Sequence, residues 1–398
     1  MKKICFLTDS IFSFGGVQRV TAVIAKELCK DYDVTIVTFD KPEMKDTSLY
    51  GLSESPIHYR FFQYPKVGYW KWHFCKAYSF LYRKLLPQTQ VTSDFYEHSS
   101  FPSEKRNALA EELKTGGYDT IIGVHAPLSV RLAACHKLLG QTRLIGWIHN
   151  SFEALFSPTS FYIGAELQRH YVYQFRKLDA TIVLCKHDAD TYQTYDPHLK
   201  TTVIYNPLTI SPGTPSEGTS KRFLAVGRFS RQHKGFDLLI DAFNLFAQQN
   251  SEWKLDIVGE GPEEKMYRQK IAEYQLEDRI LIHPFTNNIQ AYYSQAQIYV
   301  LSSRWEGFGL VLVEAMAHGL PVISSDLPSS KEILGDFGMY FKNGDVDDLA
   351  KRLEEATYMD WQLKSNEAIM ISQRFNANVI AEQWKTLIES DGQRNRKS

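Results

Sequence analysis

The sequence predicts an α/β protein made of two consecutive doubly wound units, each a parallel sheet with helices on both faces. Three observations support this prediction. The chain has 398 residues, too many for one ordinary domain. Short apolar runs alternate with segments of helical spacing, which is the pattern of βαβ units. A stretch rich in turn formers, residues 210–220, separates two such series.

The predicted strands are apolar almost throughout, as expected for strands buried on both faces of a parallel sheet. The first series has strands at 4–9, 33–39, 119–125, 143–149, 180–185 and 201–205. Helical spacing lies between them at 17–29, with the helix beginning near Gln18, and at 128–139. The second series has strands at 223–226, 255–258, 280–283, 298–301, 321–324 and 339–341, each followed by a helical segment.

These series predict an N-terminal domain over 1–205 and a C-terminal domain over 206–375. The remaining segment, 376–398, has apolar residues at helical spacing and is expected to cross back to the N-terminal domain. Ligands of doubly wound sheets bind outside the carboxyl ends of the strands. Two such domains facing each other would enclose a cleft between them.

Composition and charge exclude several classes of protein. The 45 basic and 46 acidic residues leave a net charge of -1, so no overall field attracts nucleic acid. The five cysteines are odd in number and include no Cys-x-x-Cys pair, which argues against a disulfide framework and a thiolate metal site. No apolar run approaches the ~20 residues that cross a bilayer. We expect a cytoplasmic protein without cofactor or bound metal, in contact with a membrane only peripherally.

Residues 302–315 contain the largest group of candidate functional residues. A predicted strand ends there in a glycine turn, and a helix begins near Leu310. Free backbone amides and the positive end of the helix dipole make this loop suited to a diphosphate. Glu306 precedes the loop and Glu314 lies in the helix, at most about 12 Å apart at helical rise. That span suits a sugar, a diphosphate and a ribose. Spacing alone fits a helix cap with two solvated glutamates equally well.

Two cations strengthen the diphosphate interpretation. The first strand of the second series ends at Gly227, and Arg228 and Lys234 follow it. A guanidinium can bind two phosphate oxygens, and an ammonium adds a point charge. A third strand ends at Gly259, where small side chains would let a nucleotide approach the backbone.

At these residues the sequence resembles the retaining glycosyltransferases of family 4, which have the GT-B fold of two Rossmann-like domains facing a cleft. Glu306 to Glu314 is similar to their Glu-x7-Glu signature. The resemblance covers most of the chain at motif level and is closer in the second half. Segment 50–103 looks particular to this protein. The resemblance implies a nucleotide-sugar donor, UDP-linked by family frequency, and a saccharide or lipid-linked saccharide acceptor used in surface polysaccharide or glycolipid synthesis.

The resemblance also assigns roles to residues. Gly227, Arg228, Lys234 and the amides of Gly307, Phe308, Gly309 and Leu310 would bind the donor diphosphate. Glu314 would hold the ribose and Glu306 the donor sugar. Gly259 would lie against the nucleotide, and Phe285 and Asn287 would meet the base. His149 matches a histidine that reaches the donor sugar, although a hydrogen-bonded histidine at a strand end fits the sequence too. Gly15 and Gly16 would serve the acceptor side, unless they form a plain tight turn.

The segment 56–93 contains no acidic residue and alternates lysines and arginines with aromatic side chains. Trp70, Phe74, Ala77, Leu81 and Leu85 share one helical face. An amphipathic helix of this kind can lie among anionic lipid headgroups, at the inner face of the cell membrane. The alternative is a helix packed on the N-terminal sheet with solvated lysines.

Two other functions compete with the transferase. A non-catalytic GT-B subunit could bind sugar or stabilise a partner enzyme, but it would not need to keep both cations and both glutamates. A dinucleotide enzyme would carry Gly-x-Gly-x-x-Gly after the first strand, and the glycines at 15 and 16 lack that spacing. Metal binding through Asp-x-Asp pairs is disfavoured, because those pairs fall at predicted helix ends or turns.

Overall fold

The computed structural model describes residues 1–158, 160 and 162–390, and it divides the chain into two compact units. The N-terminal unit is Met1–Pro207 together with the chain from Ala377 onward. The C-terminal unit is Leu208–Asn376. Part of the segment that is predicted to cross back, residues 391–398, lies outside the described residues.

The N-terminal unit contains a parallel sheet of seven strands. The strands are β1 (Lys3–Thr8), β2 (Asp33–Thr38), β3 (His58–Phe61), β4 (Thr120–Val124), β5 (Arg143–Trp147), β6 (Ala180–Val183) and β7 (Thr201–Val203). Their order across the sheet is β3-β2-β1-β4-β5-β6-β7, and every neighbouring pair is parallel. β1, β2, β4, β5, β6 and β7 coincide with the predicted apolar runs, whereas β3 has no such run because its four residues are only partly buried at the sheet edge.

Helices cover this sheet. They are α1 (Gly16–Leu28), α2 (Tyr69–Lys84), α3 (Gln90–Ser100), α4 (Ser103–Gly116), α5 (Ala126–Ala134), α6 (Phe152–Phe156), α7 (Gln168–Phe175) and α8 (Lys186–Tyr195). In α1 the buried residues include Val20, Ile24 and Leu28, one apolar stripe at helical spacing. α1 begins at Gly16 instead of near Gln18, and α5 spans 126–134 instead of 128–139. The predicted bounds missed these ends because caps and turns, not apolar spacing, terminate the helices.

The C-terminal unit contains a parallel sheet of six strands. They are β8 (Arg222–Val226), β9 (Lys254–Val258), β10 (Ile280–His283), β11 (Ile298–Leu301), β12 (Val322–Ser325) and β13 (Met339–Phe341), in the order β10-β9-β8-β11-β12-β13. The helices of this unit are α9 (Arg231–Lys234), α10 (Phe236–Ala247), α11 (Glu264–Glu273), α12 (Gln290–Gln295), α13 (Leu310–Ala317), α14 (Pro328–Leu334), α15 (Val346–Ala356) and α16 (Trp361–Ser372). All six strands lie at the predicted positions.

The last described helix, α17 (Ala377–Glu389), belongs to the N-terminal unit. Its Trp384 is fully buried, with its ring centroid 4.7 Å from that of Trp147 and 6.4 Å from that of Phe6. Lys385 forms an ion pair with Asp31 at 2.5 Å. Burial of the indole anchors this helix to the N-terminal sheet.

The helix α2 has an exposed aromatic face. Trp70 is 83% exposed and Phe74 66% exposed, and Leu81 and Leu85 on the same face are also exposed. Tyr82 on the other face is fully buried and stacks on Tyr96 at 4.5 Å. None of the helices in the described ranges is both long enough and apolar enough to cross a membrane.

Candidate functional site

The C-terminal sheet places the predicted motifs beside one another. Its strand order reverses between β8 and β11, which are hydrogen-bonded neighbours. Gly227 follows β8 and Ser302 follows β11, so the two loops leave the same edge of the sheet at the point of reversal. Ligands of doubly wound sheets bind at such a switch point. This edge is therefore the candidate site of the C-terminal unit.

Glu306 lies at this edge and is contacted by three side chains of the neighbouring loops. Its carboxylate Oε1 accepts hydrogen bonds from Lys234 Nζ at 2.5 Å and from Ser303 Oγ at 2.7 Å. Nε2 of His233 lies 3.6 Å from the same oxygen. Burial alone would raise the pKa of this carboxyl, but Lys234 and His233 outweigh burial and hold it below its ordinary value. Glu306 is thus a buried carboxylate that stays charged.

His233 directly precedes Lys234, and no sequence motif predicts a role for it. Its imidazole stacks on the indole of Trp305, with ring centroids 3.7 Å apart and planes 2° apart. The stack holds the imidazole against Glu306, and Nε2 is a buried atom without a hydrogen-bond partner in the described part of the chain. The signal that could have found His233 is its position between strand β8 and the cation at 234.

The loop before α13 presents backbone groups as the sequence predicts. Gly309 has φ of 87° and caps the helix that begins at Leu310. A residue with a side chain is strained in that conformation, so glycine is required there. Phe308 is buried, and its ring lies 5.8 Å from that of Phe375. Its side chain packs inside this unit, which leaves the backbone as its contribution to a ligand.

Glu314 lies on α13 and is only 2% exposed. Its two oxygens accept hydrogen bonds from Thr209 Oγ1 at 3.2 Å and from Tyr293 Oη at 3.0 Å. Neither partner is predicted by the sequence, because one lies about a hundred residues away in the linker and the other in the short helix α12. A carboxylate in this position accepts hydrogen bonds from hydroxyl groups.

Arg228 and Gly259 complete the edge. The Arg228 side chain is exposed and makes no hydrogen bond or ion pair within the described residues. A Cβ atom on Gly259 would lie 2.0 Å from the carbonyl oxygen of Gly227, so no other residue fits this contact between β8 and β9. Phe285 and Asn287 are exposed in the loop after β10, two strands from β8.

The remaining predicted residues belong to the N-terminal unit. His149 follows β5, is 8% exposed, and has neither ring nitrogen hydrogen-bonded within the described chain. Burial, and then His125, lower its pKa well below the ordinary value, so the ring is neutral. The structure therefore does not show the hydrogen-bonded histidine that was the alternative interpretation. Trp147 packs against the ring at 4.3 Å.

Gly15 and Gly16 lie at the start of α1, after β1. Gly16 is the first residue of the helix. The amide of Gly15 donates to the hydroxyl of Tyr50 at 3.0 Å, and that hydroxyl donates to the carbonyl of Ser13 at 2.8 Å. Tyr50 lies in a segment without a sequence motif, so its contact with the glycine turn was not predicted.

Two family models match adjoining parts of the chain. The model described as Glycosyltransferase Family 4 matches residues 14–211, and the model described as Glycosyl transferases group 1 matches residues 209–374. Together they extend from 14 to 374. The border between them falls close to the division between the two units at Pro207.

Relatives and solved structures agree with these matches. An uncharacterized glycosyltransferase of Haemophilus influenzae is 26% identical over 98% of this chain and 100% of its own length. The amylovoran biosynthesis glycosyltransferase AmsD of Erwinia amylovora is 28% identical over 85% of both chains. The crystal structure of TarM is 16% identical with a TM-score of 0.75, covering 98% of this chain and 99% of its own. Anabaena HepE in complex with UDP is 21% identical with a TM-score of 0.73, covering 98% and 100%. The predicted pair of Rossmann-like α/β domains, the GT-B fold, is confirmed.

Proposed function

Because the chain belongs to the glycosyltransferases, we propose that it is a retaining enzyme that transfers a hexose or N-acetylhexosamine from a UDP-sugar to a saccharide. The acceptor is a saccharide or a lipid-linked saccharide, and the product enters a surface polysaccharide or glycolipid. The relative named for amylovoran biosynthesis supports a polysaccharide product. The solved complex of HepE with UDP supports the donor nucleotide.

The observation that carries this proposal is the buried Glu306–Lys234 pair at the switch point, with the unpaired cation of Arg228 on the same edge. Transfer breaks the bond between the anomeric carbon and the phosphate oxygen, and negative charge grows on that oxygen. Arg228, Lys234 and the amides from Gly307 to Leu310 stabilise this charge. Glu306 then contacts the donor sugar through hydrogen bonds.

The proposed stereochemistry follows from attack on the face that the leaving phosphate occupies. The acceptor hydroxyl forms the new bond to the anomeric carbon, and its proton passes to the departing phosphate oxygen. No carboxylate base is required in this scheme. Ribose hydroxyls bind Glu314 beside Thr209, and Phe285 and Asn287 meet the uracil. His149 reaches the donor sugar, and the turn at Gly15 and Gly16 serves the acceptor.

Calorimetric titration of the full chain with UDP-glucose, UDP-galactose, UDP-N-acetylglucosamine and GDP-mannose tests the donor. We expect one UDP-sugar to bind. In a thermal melt, the same UDP-sugar should raise the melting temperature of the protein by mass action. NMR of the transferred product then gives the anomeric configuration, and inversion would contradict the retaining mechanism. Binding without turnover against any saccharide acceptor would favour a non-catalytic sugar-binding subunit instead.

The exposed face of α2 supports a second part of the proposal, contact with the anionic inner surface of the cell membrane. Trp70, Phe74, Leu81 and Leu85 give this face apolar side chains of the kind that enter a headgroup region. Lys76 lies over the ring of Trp72 at 3.9 Å, so cations and aromatic rings share one surface. Positive charge beside apolar side chains is complementary to an anionic bilayer.

Flotation with vesicles of phosphatidylglycerol and phosphatidylcholine tests this contact. We expect the protein to float with the anionic vesicles at low salt, and the double variant Trp70→Ser/Phe74→Ser to lose that binding. Leu363→Ser, which removes an exposed apolar side chain from the C-terminal unit, is the matched control. Equal flotation of all three proteins, or none by the unaltered chain, would reject membrane contact through α2.

A further inference from the structure

A titratable side chain without a role in the proposed transfer lies beside the Glu306–Lys234 pair. Nε2 of His233 is 3.6 Å from Glu306 Oε1, the same oxygen that accepts from Lys234 Nζ at 2.5 Å. That separation is too long for a hydrogen bond, so the imidazole lies next to the carboxylate without bonding to it. Nε2 is buried and has no hydrogen-bond partner among the described residues. A buried nitrogen of this kind is costly unless another state of the site pairs it.

Backbone hydrogen bonds and one ring contact fix His233 in this position. Its amide donates to Ser230 O at 3.1 Å, and its carbonyl accepts from Arg304 N at 2.7 Å. Its ring is parallel to the indole of Trp305, with centroids 3.7 Å apart. The face of an indole attracts cations, so a positive charge on this imidazole would be stabilised by the stack.

The charged groups around His233 come from its own helix and from two segments that are bonded to that helix. They are Arg231 and Lys234 of α9, Asp237 at the start of α10, and Arg304 and Glu306 of the loop after β11. Arg304 binds Asp237 through both terminal nitrogens, at 2.9 Å and 3.0 Å, and Arg231 Nε binds the same carboxylate at 3.2 Å. Asp237 therefore compensates part of the guanidinium charge. A diphosphate that arrives here adds negative charge, which favours a proton on a neighbouring imidazole.

Lys234 cannot serve both of its anionic partners fully. The proposed transfer assigns its ammonium to the donor diphosphate, whereas in this structure the ammonium is bound to Glu306. The side chain of Glu306 is only 8% exposed. A buried carboxylate that loses its cation is strongly destabilised. When a diphosphate takes the ammonium, the carboxylate therefore needs another cation or a proton.

We infer that His233 takes up a proton when a diphosphate binds at the C-terminal edge, and that the imidazolium then replaces Lys234 as the partner of Glu306. The proton comes from solvent, Nε2–H donates to Glu306 Oε1, and Lys234 Nζ is released to the phosphate oxygens. His233 is a positioning residue in this scheme, because it keeps Glu306 charged and in place for the donor sugar. The inference deepens the proposed function and rests on it for the identity of the ligand.

Calorimetric titration of the full chain with UDP measures the proton uptake. Titrations at about pH 7.5 in two buffers with different enthalpies of ionisation give the number of protons bound per UDP, and UDP itself is almost fully ionised at that pH. We expect more than about half a proton for the unaltered chain and less than about a tenth for His233→Gln, which cannot ionise. His187→Gln, which removes an exposed histidine from the N-terminal unit, is the matched control and should take up as much as the unaltered chain.

Two further measurements separate this role from a merely structural one. The complex binds a proton more tightly than the free chain, so UDP affinity should be highest at low pH and fall about tenfold between about pH 6.5 and about pH 8.5. His233→Lys supplies a permanent cation, and its UDP affinity should change little over the same range. NMR of the unaltered chain with labelled histidine should show the His233 ring changing from imidazole to imidazolium when UDP is added.

The outcomes distinguish the inference from the proposed function. Proton uptake that persists in His233→Gln would mean that Glu306 itself takes the proton, and the inference would be wrong. UDP binding without proton uptake by the unaltered chain would also overturn it and would leave the proposed donor intact. Inorganic pyrophosphate is the probe that carries neither base nor sugar. Proton-linked binding of pyrophosphate without binding of any nucleotide sugar would reject the proposed donor and keep the inference, and binding of neither would reject both.

Discussion

The carboxyl edges of the two sheets occupy the same topological position and carry opposite chemistry. In the C-terminal sheet, charged groups gather at the reversal of strand order, with Glu306 held by Lys234 at 2.5 Å. In the N-terminal sheet the corresponding position holds the imidazoles of His125 and His149, whose pKa values are lowered by burial, so both rings are neutral. Both sheets reverse their strand order in the same way, so the loops and side chains at the strand ends decide what each edge can bind.

This difference matches two partners of a transfer reaction. A nucleotide diphosphate needs fixed cations and amides, because its charge grows as the bond to the sugar breaks. A saccharide acceptor needs hydrogen-bonding groups and no strong field. The charged edge of the C-terminal unit thus suits the proposed nucleotide-sugar donor, and the neutral rings of the N-terminal edge suit uncharged hydroxyl groups.

The largest effect is expected from removing the cations of the C-terminal edge. Arg228→Ala and Lys234→Ala should each lower kcat about 100- to 1,000-fold, because stabilisation of the leaving phosphate is lost. Steady-state kinetics with the matching donor measure this. Arg268→Ala, which removes an exposed cation from α11, is the control and should keep the unaltered rate. Turnover of the Arg228 variant equal to that of the unaltered chain would contradict the donor-site assignment.

Two buried carboxyls should change the stability of the folded state in opposite directions as the pH rises. Burial raises the pKa of Asp188 in the N-terminal unit from 3.8 to about 6, whereas Lys234 keeps the pKa of Glu306 low. The folded state binds a proton on Asp188 more tightly than the unfolded state does. Its contribution to stability is therefore full below about pH 4 and is lost as the pH rises through about 6.

The rise in the pKa of Asp188 corresponds to about 3 kcal/mol in the free energy of unfolding, at about 1.4 kcal/mol per pKa unit. Urea unfolding of the unaltered chain and of Asp188→Asn at about pH 4 and about pH 7 measures it. Asparagine keeps an oxygen for the amide of Phe152, which donates to Asp188 at 2.9 Å, but cannot ionise. We expect the free energy of unfolding of the variant, relative to that of the unaltered chain, to rise by about 2 kcal/mol between the two pH values, because the unfolded carboxyl is already partly ionised at about pH 4. A difference that does not change with pH would contradict the raised pKa.

Glu306→Gln should separate donor binding from transfer. The variant frees Lys234 and removes a negative charge near the diphosphate, so UDP alone should bind about tenfold more tightly, while kcat falls. Calorimetry with UDP measures the affinity. The control is Glu252→Gln, which breaks the exposed pair of Glu252 with Lys221 and should leave the affinity unchanged. Weaker UDP binding by Glu306→Gln would mean that Glu306 positions Lys234 for the diphosphate instead of competing with the diphosphate for Lys234.

The smallest effect is expected from salt. Raising NaCl from about 0.02 M to about 0.5 M should weaken UDP binding several-fold, since the cations of the C-terminal edge are partly exposed and screened. The acceptor KM should barely change if the uncharged acceptor binds mainly through the neutral rings of the N-terminal edge. Titrations at the two salt concentrations measure both quantities. Equal salt dependence for donor and acceptor would remove the electrostatic contrast between the edges.

The fold was largely predictable, because its strands are apolar runs that local sequence identifies. All strands except β3 lie at predicted positions. That strand is paired with β2 by tertiary contacts and has a polar, half-buried composition, so no local pattern marks it. The glycine loop before α13 and the cations at 228 and 234 were found for the same reason, since a strand end followed by glycine and charge is a local signal.

The partners of the site residues were not predictable. The contact of Glu314 with Thr209 and Tyr293 joins segments far apart in sequence. The stack of His233 on Trp305 and the hydrogen bond from the Gly15 amide to the Tyr50 hydroxyl also join residues that are distant in the sequence. Spacing gave only an upper limit on the separation of Glu306 and Glu314, and it could not indicate that both carboxylates are buried.

Sequence alone determined that this chain forms two doubly wound units and that one of them carries a charged motif at a strand end. Both are properties of neighbouring residues. Only the tertiary structure decided which strands became neighbours, and so where each sheet reverses. It also decided that His125 is held in a strained backbone, with φ of 76°, beside the ring of His149. Those properties depend on hydrogen bonds and burial from distant segments, which no local pattern encodes.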